Sequence, residues 1–82
     1  MFKNIHVNLI NAAIGCEILF QKTFLITYDE EFTYDIDIPC SLCEALEPAC
    51  YAMSEHNFHS AVITDATTGE VLAELKRVDE YM

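Results

Sequence analysis

Phe32-Thr33-Tyr34-Asp35-Ile36-Asp37-Ile38, running into Pro39-Cys40-Ser41-Leu42-Cys43-Glu44, is the stretch that decides the fold. Its first seven residues alternate apolar and polar without a break, the period-2 pattern of a half-buried strand. The next residues carry a helix start. Ser41 and Glu44 stand three apart and fit a capping box, with the hydroxyl on the Glu44 amide and the carboxylate reaching back. A strand leading directly into a capped helix places both elements in one α+β domain.

Working outward, Leu42, Ala45, Leu46, Ala49 and Met53 recur at helical spacing and predict one apolar stripe against a sheet. Pro48 falls past the first turn, so the helix is expected to kink there or to split into two pieces. Asn57 is the expected terminus. Upstream, residues 16–28 read as a strand, with Ile18, Phe20, Phe24, Ile26 and Tyr28 on one parity and Leu19 and Leu25 on the other. Such a strand is expected to be covered on both sides. Asp29-Glu30-Glu31 forms the turn into the next strand. Ile5, Val7 and Leu9 alternate with His6 and Asn8, which adds a first strand, and Gly15 suits the turn after it. The three upstream strands are expected to form an antiparallel meander. Downstream, residues 59–65 and 70–77 are expected to pair as a hairpin around Asp65-Ala66-Thr67-Thr68-Gly69.

The expected architecture is a single α+β domain over residues 1–82, one small antiparallel sheet in the order β-β-β-α-β-β. One kinked or broken helix packs on one face. Only two glycines and two prolines occur, so no linker divides the chain. The tail from Val78 is expected to fray. No run approaches the ~20 apolar residues of a membrane span. The N-terminal residues lack the pattern of a secretory signal, so a cytoplasmic location is expected, in a host cell if the protein is phage-encoded.

The charge pattern is the most specific feature. The net charge is −10, and all four basic side chains lie at Lys3, Lys22, Lys76 and Arg77. Between residues 23 and 75 there is neither Lys nor Arg, while the same span holds eleven carboxylates. Asp35 and Asp37 share one face of their strand, about 7 Å apart and close to the phosphate repeat of a nucleic-acid strand. With Asp29, Glu30 and Glu31 at one end and Glu44 and Glu47 beyond the other, a continuous negative strip is expected. Such a surface repels nucleic acid and anionic membrane and attracts basic proteins.

Candidate chemistry is weaker. Cys40 and Cys43 form a C-x-x-C, followed by Cys50, His56 and His59, but a continuous helix would hold Cys43 and Cys50 roughly 10 Å apart. A thioredoxin-like frame needs more sheet than this chain can build. The acidic cluster lacks the calcium-loop spacing. No phosphate loop or nucleophile–base pair stands out. The four cysteines are read as free thiols, mostly buried. Phe20, Tyr28, Phe32 and Tyr34 follow core spacing, and the charge removes a base-stacking role.

Three functional classes follow, with no catalytic residue and no cofactor in the first two. The leading one is an acidic protein–protein interaction module, a nucleic-acid mimic that blocks the basic groove of a nucleic-acid-binding protein. A phage- or plasmid-type antagonist of host defence or DNA processing would have such properties. Its partner-binding residues would be Asp29, Glu30, Glu31, Asp35, Asp37, Glu44 and Glu47. Tyr28 and Tyr34 would serve as anchors where their faces are exposed. The alternative is a homodimeric structural or assembly protein whose acidity serves solubility. A metal or redox protein built on Cys40, Cys43, Cys50, His56 and His59 comes third.

Overall fold

The computed structural model describes residues 5–10 and 21–78. Five strands and one helix follow in the order β1 (Ile5–Leu9), β2 (Lys22–Tyr28), β3 (Phe32–Cys40), α1 (Leu42–His56), β4 (Ser60–Asp65) and β5 (Val71–Arg77). All neighbouring strands are antiparallel, and they form one sheet in the spatial order β1-β5-β4-β2-β3. The α+β architecture and the element order match the sequence expectation. Residues 16–20 of the expected second strand, the turn at Gly15 and the tail beyond Val78 lie outside the described residues.

The meander is corrected. β1 pairs with β5, and the β4–β5 hairpin lies between β1 and β2. Burial explains the placement. Ala61, Ile63, Leu72, Ala73 and Leu75 of the hairpin are all buried, as are Phe24, Ile26 and Tyr28 of β2. Strands this apolar take the centre of the sheet, and the alternating β1 and β3 are left to the edges.

The pairing fixes the faces. Phe24 lies opposite Asp65 and Ile36, and Ile26 lies opposite Ile63 and Tyr34. Tyr28 lies opposite Ala61 and Phe32, so these side chains share one face. The helix packs on that face over β2, β3 and β4, burying Leu42, Ala45, Ala49, Cys50 and Met53. Ile26, Ile63 and Met53 are wholly inaccessible, and each such side chain contributes roughly 1.5–3 kcal/mol of transfer free energy. The other face carries Leu25, Thr27, Thr33 and Asp35 beside Val62, Thr64 and Glu74. Leu25 is only half-buried there, so β2 is covered by the helix on one side alone.

The helix is a single element of 15 residues with Pro48 inside it, so the split at Pro48 does not occur. Pro48 has no amide to give the Glu44 carbonyl. Both residues are exposed, and a carbonyl left without a donor costs little where solvent can reach it. The capping box is present: the Glu44 amide donates to Ser41 Oγ at 3.2 Å, and the Ser41 amide donates to Glu44 Oε1 at 2.9 Å. At the other end Asn57 takes a left-handed φ of 58°, and the Phe58 amide donates to the Met53 carbonyl at 3.2 Å. Arg77 completes this terminus from β5. Its guanidinium donates to the Met53 carbonyl and, at 3.0 Å, to the Phe58 carbonyl. A cation at a helix C-terminus also meets the negative end of the dipole.

A candidate interaction edge

β3 is the outer strand of the sheet among the described residues. Its regular pairing to β2 runs from Phe32 to Ile36. Beyond that the register shifts, with Cys40 opposite Lys22 and Ile36 opposite Phe24, so β3 carries extra residues around Asp37, Ile38 and Pro39. A bulge on an edge strand is where a proline is tolerated.

The expectation that the aromatic face of this strand is core is corrected. Phe32 is 55% exposed, Tyr34 58% and Ile38 74%, while Ile36 and Cys40 pack against the core. The helix reaches β3 without covering it. Between its flank and the strand lies a groove of 320 Å³ lined by Tyr28, Tyr34, Pro48, Ala52, His56 and Phe58. Pro48, Ala52 and His56 are four residues apart in turn, so they form one stripe along the helix. Phe58 closes the groove, stacked on Tyr28 at 4.7 Å and tilted against Phe32 at 5.9 Å and His56 at 5.7 Å. Sequence reading missed this groove. Its signal was the Pro48-Ala52-His56 spacing, followed by an aromatic residue just past the helix stop.

Of the two proposed anchors, Tyr34 is on the surface. Tyr28 is 6% exposed and belongs to the groove floor, so it is not a surface anchor. Burial pushes its phenol up to about 12, with Tyr34 and Cys50 adding to the rise.

The acidic residues divide by role. Asp35 and Asp37 are exposed, and Asp35 lies on the open face opposite Leu25. Glu30 and Glu31 are exposed at the β2–β3 turn, and Glu47 is exposed on the helix. Glu44 is also exposed, but one of its carboxylate oxygens serves the helix cap. Asp29 is engaged by its fold: its Oδ1 accepts from the His59 amide at 2.8 Å and the Ser60 amide at 3.0 Å. The continuous strip is therefore corrected. The helix, with Glu44 and Glu47, lies across the sheet from Asp35, so the negative groups flank the β3 edge from two faces.

Asp65 is a structural carboxylate as well. It is 2% exposed and forms an ion pair with Lys22 Nζ at 2.9 Å. It also accepts from the amides of Thr67 at 2.8 Å and Thr68 at 3.2 Å. The Lys22 hydrogen bond is the main cause holding its carboxyl below the usual aspartate range; the two amides and the Lys22 charge add to this, and burial opposes it. Lys22 and Arg77, two of the three basic residues described, are thus held by structural partners.

The cysteine–histidine set is not gathered. Cys43 is exposed, Cys40 is half-buried at the end of β3, and Cys50 faces the core. The expectation of mostly buried thiols therefore holds for Cys50 alone among the described cysteines. Burial raises the Cys40 thiol, with Glu44 adding to it, and burial raises Cys50, the opposite of an activated thiolate. His56 lines the groove, and His59 sits in the loop that Asp29 binds. Among the described residues no three His, Cys, Asp or Glu side chains are placed to hold a metal ion. No described helix is long and apolar enough to cross a membrane.

The fold and the edge together define a small acidic α+β domain whose outer strand β3 has no further pairing partner among the described residues. Comparison with protein families, with curated proteins and with solved structures finds no match to the chain.

Proposed function

We propose that the protein is an acidic interaction module that docks on a basic, nucleic-acid-binding protein and competes with nucleic acid for it. The observation that carries this reading is the β3 edge. Asp35 and Asp37 are exposed there, and no ion pair engages them among the described residues. The sequence around them holds no Lys or Arg from residue 23 to residue 75. Mixed charge would serve solubility with less self-repulsion, so a field of one sign supports steering of a basic partner. The exposed Tyr34 beside it supplies an aromatic contact of the kind that carries interface energy.

The test is capture of a basic partner from cells that produce the protein, with competition by duplex DNA. DNA should displace the partner, and the Asp35→Asn/Asp37→Asn variant should fail to retain it. Retention by the variant, or indifference to DNA, would remove this function.

A homodimer is the second reading, and the opposite edge favours it. Val7, Leu9, Ile10 and Val78 are exposed on and beside the β1–β5 pair. A monomer in sedimentation at micromolar concentration would exclude it.

A further inference from the structure

We infer that β3 is a receptor edge: it takes an extended segment of a basic protein as an added strand along Phe32–Ile36. The inference rests on the acidic-module reading above and names how the partner docks. Three observations converge. The outer edge of β3 has no pairing strand among the described residues. Its helix-side residues Phe32 and Tyr34 are more than half exposed; Tyr34 lines the apolar groove, and Phe32 meets the ring of Phe58 that closes it. Its open-face residue Asp35 is exposed, with Glu31 at the turn and Asp37 at the bulge on either side.

Strand addition uses all three. An added strand takes the free main-chain hydrogen bonds, and its side chains alternate between the two faces. One parity of the guest then lies beside Thr33 and Asp35, where a Lys or Arg meets carboxylates at cross-strand distance. The other parity lies beside Phe32, Tyr34 and Ile36, over the groove bordered by Pro48, Ala52 and His56. The matching guest therefore alternates basic and apolar residues. The bulge and Pro39 confine it to the regular part of the strand.

Charge also decides against a second copy as the occupant. Pairing β3 antiparallel with β3 of another copy, with apolar faces aligned, brings the two Asp35 side chains diagonal across the seam when centred on Tyr34 and directly opposite when shifted one register on. Like charges directly opposite are destabilising, and no cation of β3 relieves them. The same carboxylates that attract a basic guest thus protect the edge from self-association.

The probes are capped peptides of about seven residues. One alternates Lys and Val; the other has the same composition with the lysines in one block. Binding and amide hydrogen exchange are followed by NMR on the whole protein. The alternating peptide should bind about tenfold or more tightly than the block peptide, and outward-facing β3 amides between Phe32 and Ile36 should gain protection. An Asp35→Lys/Asp37→Lys variant should transfer the preference to an alternating Glu–Val peptide. Equal binding of both lysine peptides, with β3 amides unchanged, overturns strand addition and leaves the acidic surface standing. No binding by either peptide at low salt overturns it too, and the DNA-competition capture then judges the acidic surface separately. A free protein that is already dimeric with protected β3 amides gives the edge to a second copy and overturns the inference.

Discussion

Asp29 and Ser60 are joined twice: the Asp29 amide donates to the Ser60 carbonyl at 2.9 Å, and the Ser60 amide donates to Asp29 Oδ1 at 3.0 Å. The same carboxylate oxygen accepts from the His59 amide, so one turn residue holds the loop between α1 and β4. Asp29→Ala leaves these amides without their acceptor and is expected to cost about 1–3 kcal/mol in urea unfolding. Asp29→Asn keeps an oxygen in place and should cost less. If Asp29→Ala unfolds at the wild-type midpoint, the carboxylate is not structural.

Glu30 follows with φ 58°, and Asp29 itself has φ 53°. Two consecutive positive φ values match the mirror-image turns that suit twisted hairpins, and those turns favour Asn and Gly. Among the described residues the Glu30 side chain makes no hydrogen bond or ion pair, and the residue carries left-handed strain of roughly 1 kcal/mol. Glu30→Asn is therefore expected to raise the thermal midpoint, read by circular dichroism. A lower midpoint would show that the Glu30 side chain has a stabilising contact.

The Asp65–Lys22 pair makes stability depend on pH in one direction. The folded carboxyl is held below the usual aspartate range, so its stabilisation is complete above that range. It is lost as pH falls below about 4 and through the folded value. Asp65→Asn should weaken the protein at neutral pH by about 2–3 kcal/mol and flatten the acid limb of the stability curve. An acid limb of the same slope in the variant would assign the acid sensitivity to other carboxylates.

The thiols should react in the order of their exposure. With iodoacetamide at neutral pH and peptide mapping, Cys43 is expected to label first, Cys40 more slowly, and Cys50 only on unfolding. Rapid labelling of Cys50 in the folded protein would contradict its place against the sheet.

Much of the fold was legible because local signals and the global pattern agree. The capping box at Ser41 and Glu44, the stop at Asn57 and the turn with Gly69 at φ 79° each stand where their chemistry placed them. Strand order was not legible, because alternation in Ile5–Leu9 and Phe32–Ile38 says that one face is apolar but not that the strand is central. That choice is made by competition with the more apolar β4–β5 hairpin. The same ambiguity hid the site: Phe32 and Tyr34 have core spacing, yet they sit on an edge that the helix does not cover. The carboxylates were visible as a group, whereas the contacts that remove Asp29 and Asp65 from a docking surface span 30 to 43 residues of sequence.

Recruitment of a basic partner is proposed to rest on the exposed carboxylates of β3. The direct measurement is the affinity of the captured partner for wild type and for Asp35→Asn/Asp37→Asn, across a salt series. Both proteins should unfold at the same midpoint within about 0.5 kcal/mol, since neither side chain supports the fold. The variant should bind about tenfold or more weakly at low salt, with a shallower salt dependence. Equal affinity and equal salt dependence would mean that Asp35 and Asp37 do not recruit the partner and that the acidity is a property of the surface alone.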